Sequence, residues 1–280
     1  MRIYQRLHFL SLDIVFGALA SSCLAARLLN SNPGWAWWLA LALTVWLLYT
    51  GDHVLDAWKH RKTSKRELHQ FIFRNRRSLL WFMGVLGIVD LLLIFNFLDR
   101  SFLRYAFILS GLVLLFYAMR HLFRRNRVLF IPGEFFVLLF YMAGTWLGPM
   151  VTRGGEFITL DGLIAITFAG TLLMNLGIIS LYDIQLDSRL GIASLASTLG
   201  KRSTKTLMLV TGILIYLVAI MQFLVFGVDL HSQYILILAG MVTILLLILL
   251  LPSFFRKKDH YRMAADAVLY MSFLSLLIGR

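Results

Sequence analysis

The feature that most constrains this chain is a recurrence. Apolar stretches of about twenty residues follow one another from end to end, separated by short charged segments. Crossing about 30 Å of hydrocarbon takes roughly 20 helical residues. Stretches of that length fall at 8–29, 35–56, 78–98, 102–121, 130–151, 161–182, 206–228, 233–254 and 262–279. They are continuous runs rather than short alternating strands, which argues against a membrane β-barrel. Helices also satisfy their own backbone hydrogen bonds, as lipid demands. Nine spans leave no room for a soluble domain, so residues 1–280 read as a single all-α polytopic membrane domain. Composition agrees: 60% of residues are hydrophobic and 15% charged, with a mean hydropathy of +0.80, outside the proportions of soluble chains.

The formal charge of +13 would suit nucleic acid, but its distribution points elsewhere. Of the 27 Lys and Arg, all but Arg27, Arg100, Arg104, Arg153 and Arg280 lie at the N-terminus or after even-numbered spans. Positive charge marks the cytoplasmic side. The N-terminus is therefore expected inside and, with an odd number of spans, the C-terminus outside. No nucleic-acid partner is expected; the membrane lipid is.

Cys23 is the only cysteine, so no internal disulfide is possible. The opening residues look superficially like a secretory signal, but Asp13 interrupts their apolar run, and they read as the first span. Trp35, Trp37 and Trp38 cluster where an interfacial aromatic belt would anchor the second span.

Two aspartate pairs break the apolar pattern. D-x-x-x-D occurs as Asp52/Asp56 at the end of span 2 and as Asp183/Asp187 at the end of span 6. In a helix, residues i and i+4 share a face, and two even-numbered spans run in the same direction. Both pairs are thus expected on the cytoplasmic side. Uncompensated, such a cluster is costly, because like charges and low dielectric both oppose ionisation. A cation is implied, and Mg²⁺, which commonly bridges carboxylates to substrate phosphates, is the best candidate. A lipid-tailed diphosphate would use the metal and nearby cations for its headgroup and the bundle for its tail. Either pair alone could also be an ordinary solvated helix end.

At these residues the sequence resembles the UbiA-type intramembrane prenyltransferases. The second motif of that family matches Asp183, Asp187, Gly191, Ser194-Leu195 and Leu199-Gly200, with Asn175 as the polar residue two turns earlier. The resemblance implies a nine-helix UbiA-like bundle. It implies Mg²⁺-dependent transfer of an isoprenyl chain from a prenyl diphosphate to an aromatic or lipid-like acceptor, with Asp52, Asp56, Asp183 and Asp187 holding the metal. The first motif departs from the family pattern. In "GDHVLDAWKH", Asp52 stands at the asparagine position, Asp56 at the middle aspartate, and His53 and His60 where carboxylates are expected. His53, Asp56 and His60 share a face, which leaves a transition-metal site open. The imidazoles could equally bond a diphosphate or sit at the interface as tolerated polar groups.

Lys59, Arg61, Arg189 and Lys201 follow the two motifs, and Arg120 and Arg124 lie in a segment that loosely resembles the family's basic stretch before span 5. These six, with His53 and His60, are candidate diphosphate contacts. Each is also accounted for by topology alone. Asn175, Asp13 and Glu134 are candidate polar supports, while Asp90 falls mid-span, where pairing is expected. Two alternatives stay open: a UbiA-like protein with eroded catalysis that binds isoprenoid lipid or assists assembly, and an ion-coupled transporter using the scattered acids. The chain is read as a multi-pass protein of a bacterial inner membrane with its site facing the cytoplasm.

Overall fold

The computed structural model describes residues 10–59, 67–122, 132–190, 193–227, 229–256 and 260–278. Among these the chain is helical, with no strand. Its helices are α1 Leu12–Leu28, α2 Gly34–Lys59, α3 Glu67–Phe97, α4 Arg100–Leu122, α5 Gly133–Val151, α6 Thr159–Leu190, the short α7 Leu195–Leu199, α8 Lys201–Phe226 and α9 Leu230–Leu250. The one-turn α10 Pro252–Phe255 and α11 His260–Val268 follow, and α11 tightens into a 3₁₀ stretch over Leu269–Leu277. Six helical segments, Gly34–Leu55, Phe71–Phe97, Gly133–Val151, Thr159–Arg189, Lys201–Val225 and Leu230–Leu250, are long and apolar enough to cross a membrane. The chain is a multi-pass membrane protein.

The helices follow the apolar stretches, and they differ at their ends for a physical reason. α6 continues to Leu190 rather than stopping near residue 182. Its 32 residues span about 48 Å at 1.5 Å per residue, against about 30 Å of hydrocarbon. The last turns, which carry Asp183 and Asp187, are the excess. α3 likewise begins at Glu67 instead of near 78, and its extra turns carry Arg74, Arg76 and Arg77. The Arg76 guanidinium lies over the Phe73 ring, 4.3 Å from its centroid.

The main core lies in the second half of the chain. α6 and α9 bury Phe168, Met174, Ile178, Tyr234, Leu238 and Met241 against α1, α8, α11 and the 3₁₀ stretch. Small residues allow the closest approaches, as is usual where no hydrophobic effect drives helices together in lipid. A Cβ on Gly177 of α6 would lie 2.3 Å from Met208 Sδ on α8. α3 and α4 are largely exposed along their length, the pattern of lipid-facing helices.

One expectation needs correction here. Of the three tryptophans assigned to an aromatic belt, Trp35 is 62% exposed, whereas Trp37 is 7% exposed. Trp37 packs with Leu41 and Phe102, donates its indole N–H to Ser22 Oγ at 3.3 Å, and lies over Gly148 of α5. Its ring joins α1, α2, α4 and α5, which is a core role.

Candidate functional site

The site is built around the C-terminal end of α6. Asp183 faces the start of α11 and Asp187, one turn later, the segment that follows the helix. That segment is folded back and fastened at several points. Ser194 caps α7 in a capping box with Ser197, satisfying backbone donors that a helix start leaves open. Glu134 of α5 accepts from the Leu195 N–H at 2.9 Å, and Ser180 of α6 accepts from the Ala196 N–H at 2.9 Å. The Gly133 N–H donates to the Ala193 carbonyl at 3.3 Å, and Thr204 of α8 donates to the Leu195 carbonyl at 3.2 Å. Leu195 is fully buried. Gly200 joins α7 to α8 at φ +83°, ψ 155°, a region essentially restricted to glycine.

This geometry explains most of the second motif. Ser194 caps, Leu195 anchors, and Gly200 turns the chain between two helices. The Ser194 side chain also reaches Asp187, which lies within the fields of Asp183, Glu134 and Arg262. Leu199 is 45% exposed, and nothing in the structure explains it. Gly191 lies outside the described residues.

Asp183 is the most fully engaged of these acids. Tyr261 O–H donates to its Oδ1 at 2.6 Å, and the Arg262 guanidinium forms an ion pair with its Oδ2. Both partners come from the start of α11. Three further contacts hold that helix in place. Asn175 donates to the Ala265 carbonyl at 2.6 Å. The rings of Tyr182 and Tyr261 stack with centroids 4.4 Å apart and planes 5° apart. Tyr182 O–H in turn donates to the Ile248 carbonyl at 2.7 Å. Asn175, expected as polar support, therefore positions the helix that carries Tyr261 and Arg262.

The other expected residues are placed as follows. Asp52 is exposed and His53 half-buried on α2, each engaged by neighbouring groups. His60, Arg61 and Arg124 lie outside the described residues, as do the side chains of Asp56, Lys59 and Arg120. α2 packs on α1, α3 and α5, while α6 packs on α5, α7, α8, α9 and α11. α5 is thus a shared neighbour of the two aspartate helices. Arg189 is exposed at the end of α6. Lys201 lines an open cavity of about 460 Å³ with Pro252, Ser253 and Arg256. Asp13 is buried in the first turn of α1; its Oδ1 accepts from the Ile14 N–H at 3.0 Å, and its carbonyl accepts from Tyr270 O–H at 3.0 Å. Asp90 accepts from Thr44 Oγ1 at 2.7 Å, tying α3 to α2.

Sequence reasoning missed Tyr261 and Arg262, which read as part of a basic loop and a span start. It also missed a hydroxyl pair farther along the bundle, where Ser21 Oγ and Tyr141 O–H lie 2.9 Å apart. On α11, Arg262 and Asp266 lie at i+4 spacing, which is a single helix face, and Tyr270 follows four residues later in the 3₁₀ stretch. An acid four residues after Arg262 was the available signal.

Among the described residues, no group of three or more His, Cys, Asp and Glu side chains converges as a metal site. Asp183 accepts one hydrogen bond at each oxygen, from Tyr261 and from Arg262, so a divalent ion at that carboxylate would share it with both.

No family model and no curated protein sequence matches the chain. A search of solved structures finds the apo structure of a UbiA homolog from Aeropyrum pernix K1, with a TM-score of 0.59 at 16% identity, covering 94% of this chain and 97% of that one. The chain has the all-helical UbiA-type fold.

Proposed function

We propose that this protein is an intramembrane prenyltransferase that takes up a prenyl diphosphate at the polar end of α6 and transfers the isoprenyl chain to an aromatic or lipid-like acceptor. One observation carries the reading. A buried aspartate, Asp183, is held beside an arginine at the rim of an apolar bundle, on the fold of a UbiA homolog. Acids and cations at the rim with an apolar interior below are the parts that a lipid-tailed diphosphate requires.

In the proposed reaction the allylic C–O bond to diphosphate breaks, and the electron pair leaves with the diphosphate. The allylic carbon then bonds to the acceptor, which releases a proton. Guanidinium and ammonium groups stabilise the developing negative charge through charge-assisted hydrogen bonds. The apolar helices hold the chain and keep water from the carbocation. Arg262, Arg189 and Lys201 are the described cations nearest in sequence or space to the motif. The charge stabilisation is assigned to such side chains, with Asp52, Asp183 and Asp187 as the described residues that would hold Mg²⁺, which would add neutralising charge when bound. Asp52, Asp56, His53 and His60 are assigned to the same headgroup region. The proposed setting is a bacterial inner membrane with this end facing the cytoplasm.

The test uses purified protein in nanodiscs with labelled prenyl diphosphates and a panel of aromatic and lipid acceptors. Acceptor-dependent release of diphosphate is expected, and Asp183→Ala combined with Asp187→Ala should abolish it. Unchanged release in that double variant would sink the assignment of the site.

The ion pair that engages Asp183 favours a second reading, a UbiA-like isoprenoid-lipid binding or assembly protein. It is distinguished by tight prenyl-diphosphate binding with no diphosphate release across the acceptor panel.

A further inference from the structure

We infer that the cleft between α3 and α4 is a binding site for an anionic phospholipid, with its phosphate at Arg74 and Arg77 and its acyl chains against the apolar stripes below them. The cleft lies on a face of the bundle that the α6 site does not use, and its occupant is independent of the proposed reaction.

α3 and α4 follow one another through a short link, yet α3 packs on α2 and α4 on α5. They meet near their shared turn, where the Phe95 and Phe107 ring centroids lie 6.2 Å apart. That contact identifies the facing sides. On α3, Arg77, Trp81, Gly84, Ile88, Leu91 and Phe95 recur at alternating spacings of four and three, which is one helix face, and Arg74 continues it. On α4, Phe107, Gly111 and Leu114 do the same. The opposite side of α3 carries Asp90 and Leu93, both buried against α2. Beyond the phenylalanine contact the facing stripes part. Ile88 is 62% exposed and Leu114 69%, and a Cβ added to Gly84, Gly87 or Gly111 meets nothing within 4 Å. Small residues usually mark the closest approaches of membrane helices; here they line a gap. The cleft is a wedge, closed at Phe95 and Phe107 and widening toward the arginine end.

Depth and charge select the occupant. From Arg77 to Ile88 the helix rises about 16 Å at 1.5 Å per residue, about half of the 30 Å of hydrocarbon and so the depth of one leaflet. A phospholipid of the leaflet on the arginine side brings its phosphate level with Arg74 and Arg77 while its chains fill the wedge. Trp81 is 74% exposed one turn below Arg77, where an interfacial aromatic ring lies beside the headgroup. Arg76 is engaged locally, with its guanidinium over the Phe73 ring and Nη1 donating to the Phe73 carbonyl at 3.4 Å. Arg74 and Arg77, by contrast, are exposed and have no hydrogen-bond or ion-pair partner among the described residues. Two unpaired guanidiniums complement a headgroup of net negative charge. A zwitterionic lipid brings its own cation to the same place and gains less.

The test is native mass spectrometry of the full chain in detergent, titrated with phosphatidylglycerol or with phosphatidylcholine of the same acyl chains. The wild type is expected to bind one phosphatidylglycerol about tenfold more tightly than phosphatidylcholine, the scale for two basic residues at an anionic headgroup. Arg74→Gln combined with Arg77→Gln should remove that preference and leave phosphatidylcholine binding unchanged. Gly84→Phe combined with Gly111→Phe fills the wedge, where an added side chain meets open space, and should weaken phosphatidylglycerol binding with both arginines intact. A wild type that binds the two lipids equally overturns the inference, a comparison that needs no variant to fold. So does undiminished binding by the filled-wedge variant, which leaves only the attraction of a basic surface for anionic lipid. Displacement of the lipid by inorganic phosphate or by farnesyl diphosphate at equal concentration, or a dimer that dissociates as phosphatidylglycerol is added, overturns the choice of occupant. None of these outcomes bears on the reaction proposed at α6.

Discussion

Removing the Asp183 carboxylate distinguishes two accounts of this site by the sign of a stability change. If Asp183 were one of several unpaired acids awaiting a metal, Asp183→Ala would relieve repulsion from Asp187 and Glu134, and metal-free protein would become more stable. The ion pair predicts the opposite. Asp183 is buried and accepts from both Tyr261 and Arg262, and truncating it leaves the Tyr261 hydroxyl without its acceptor and the Arg262 charge without its counter-ion. Breaking a buried pair from one side costs about 3–5 kcal/mol. Arg262 is 26% exposed and can recover some hydration, which places the expected loss near the lower end, about 3 kcal/mol. Denaturant unfolding in detergent with EDTA, followed by tryptophan fluorescence, measures it. The double variant Asp183→Ala with Arg262→Ala should be less destabilised than the sum of the single variants by about 1–3 kcal/mol, as for residues in direct contact. Asp183→Ala protein as stable as the wild type, or effects that simply add, would refute the pairing.

Substitutions at three further positions probe how the site is held. Gly148→Ala would place a Cβ 2.3 Å from the Trp37 ring, and overpacking there should destabilise the α2–α5 junction by about 1–3 kcal/mol in the same unfolding assay. Gly200→Ala forces a side chain into a glycine-only conformation at a cost of about 1–3 kcal/mol, and limited proteolysis should detect a loosened α7–α8 connection. Glu134→Ala removes the acceptor for the Leu195 N–H and should speed hydrogen exchange across 195–198. Glu134→Gln, which keeps that acceptor, should exchange like the wild type.

Much of the architecture was legible because hydrocarbon thickness acts as a ruler. Every long helix coincides with an apolar stretch of the expected length. The ends were less legible, since charge stops a hydropathy count but does not stop a helix. Asp183 and Asp187 remain helical on α6, and the arginines at 74–77 remain helical on α3. The half of the site contributed by the second motif was also readable, as Ser194, Leu195 and Gly200 have local roles that leave local signatures. Arg262 was hidden because its meaning is not local. It lies 79 residues from Asp183 in sequence, among lysines and arginines that topology alone explains. Trp37 was misread for a related reason: interfacial and buried tryptophans look alike until it is known that Gly148 leaves room for the ring.

The most direct test of the account is an experimental structure of the protein with a non-hydrolysable prenyl diphosphate analogue bound. The account predicts the diphosphate oxygens within about 3 Å of the Arg262 guanidinium, the distance of a charge-assisted hydrogen bond. It also predicts that the Asp183–Arg262 pair is retained and that the prenyl chain runs into the apolar bundle. A diphosphate bound away from Arg262, or a metal ion bridging it to Asp183 with the arginine turned aside, would contradict it.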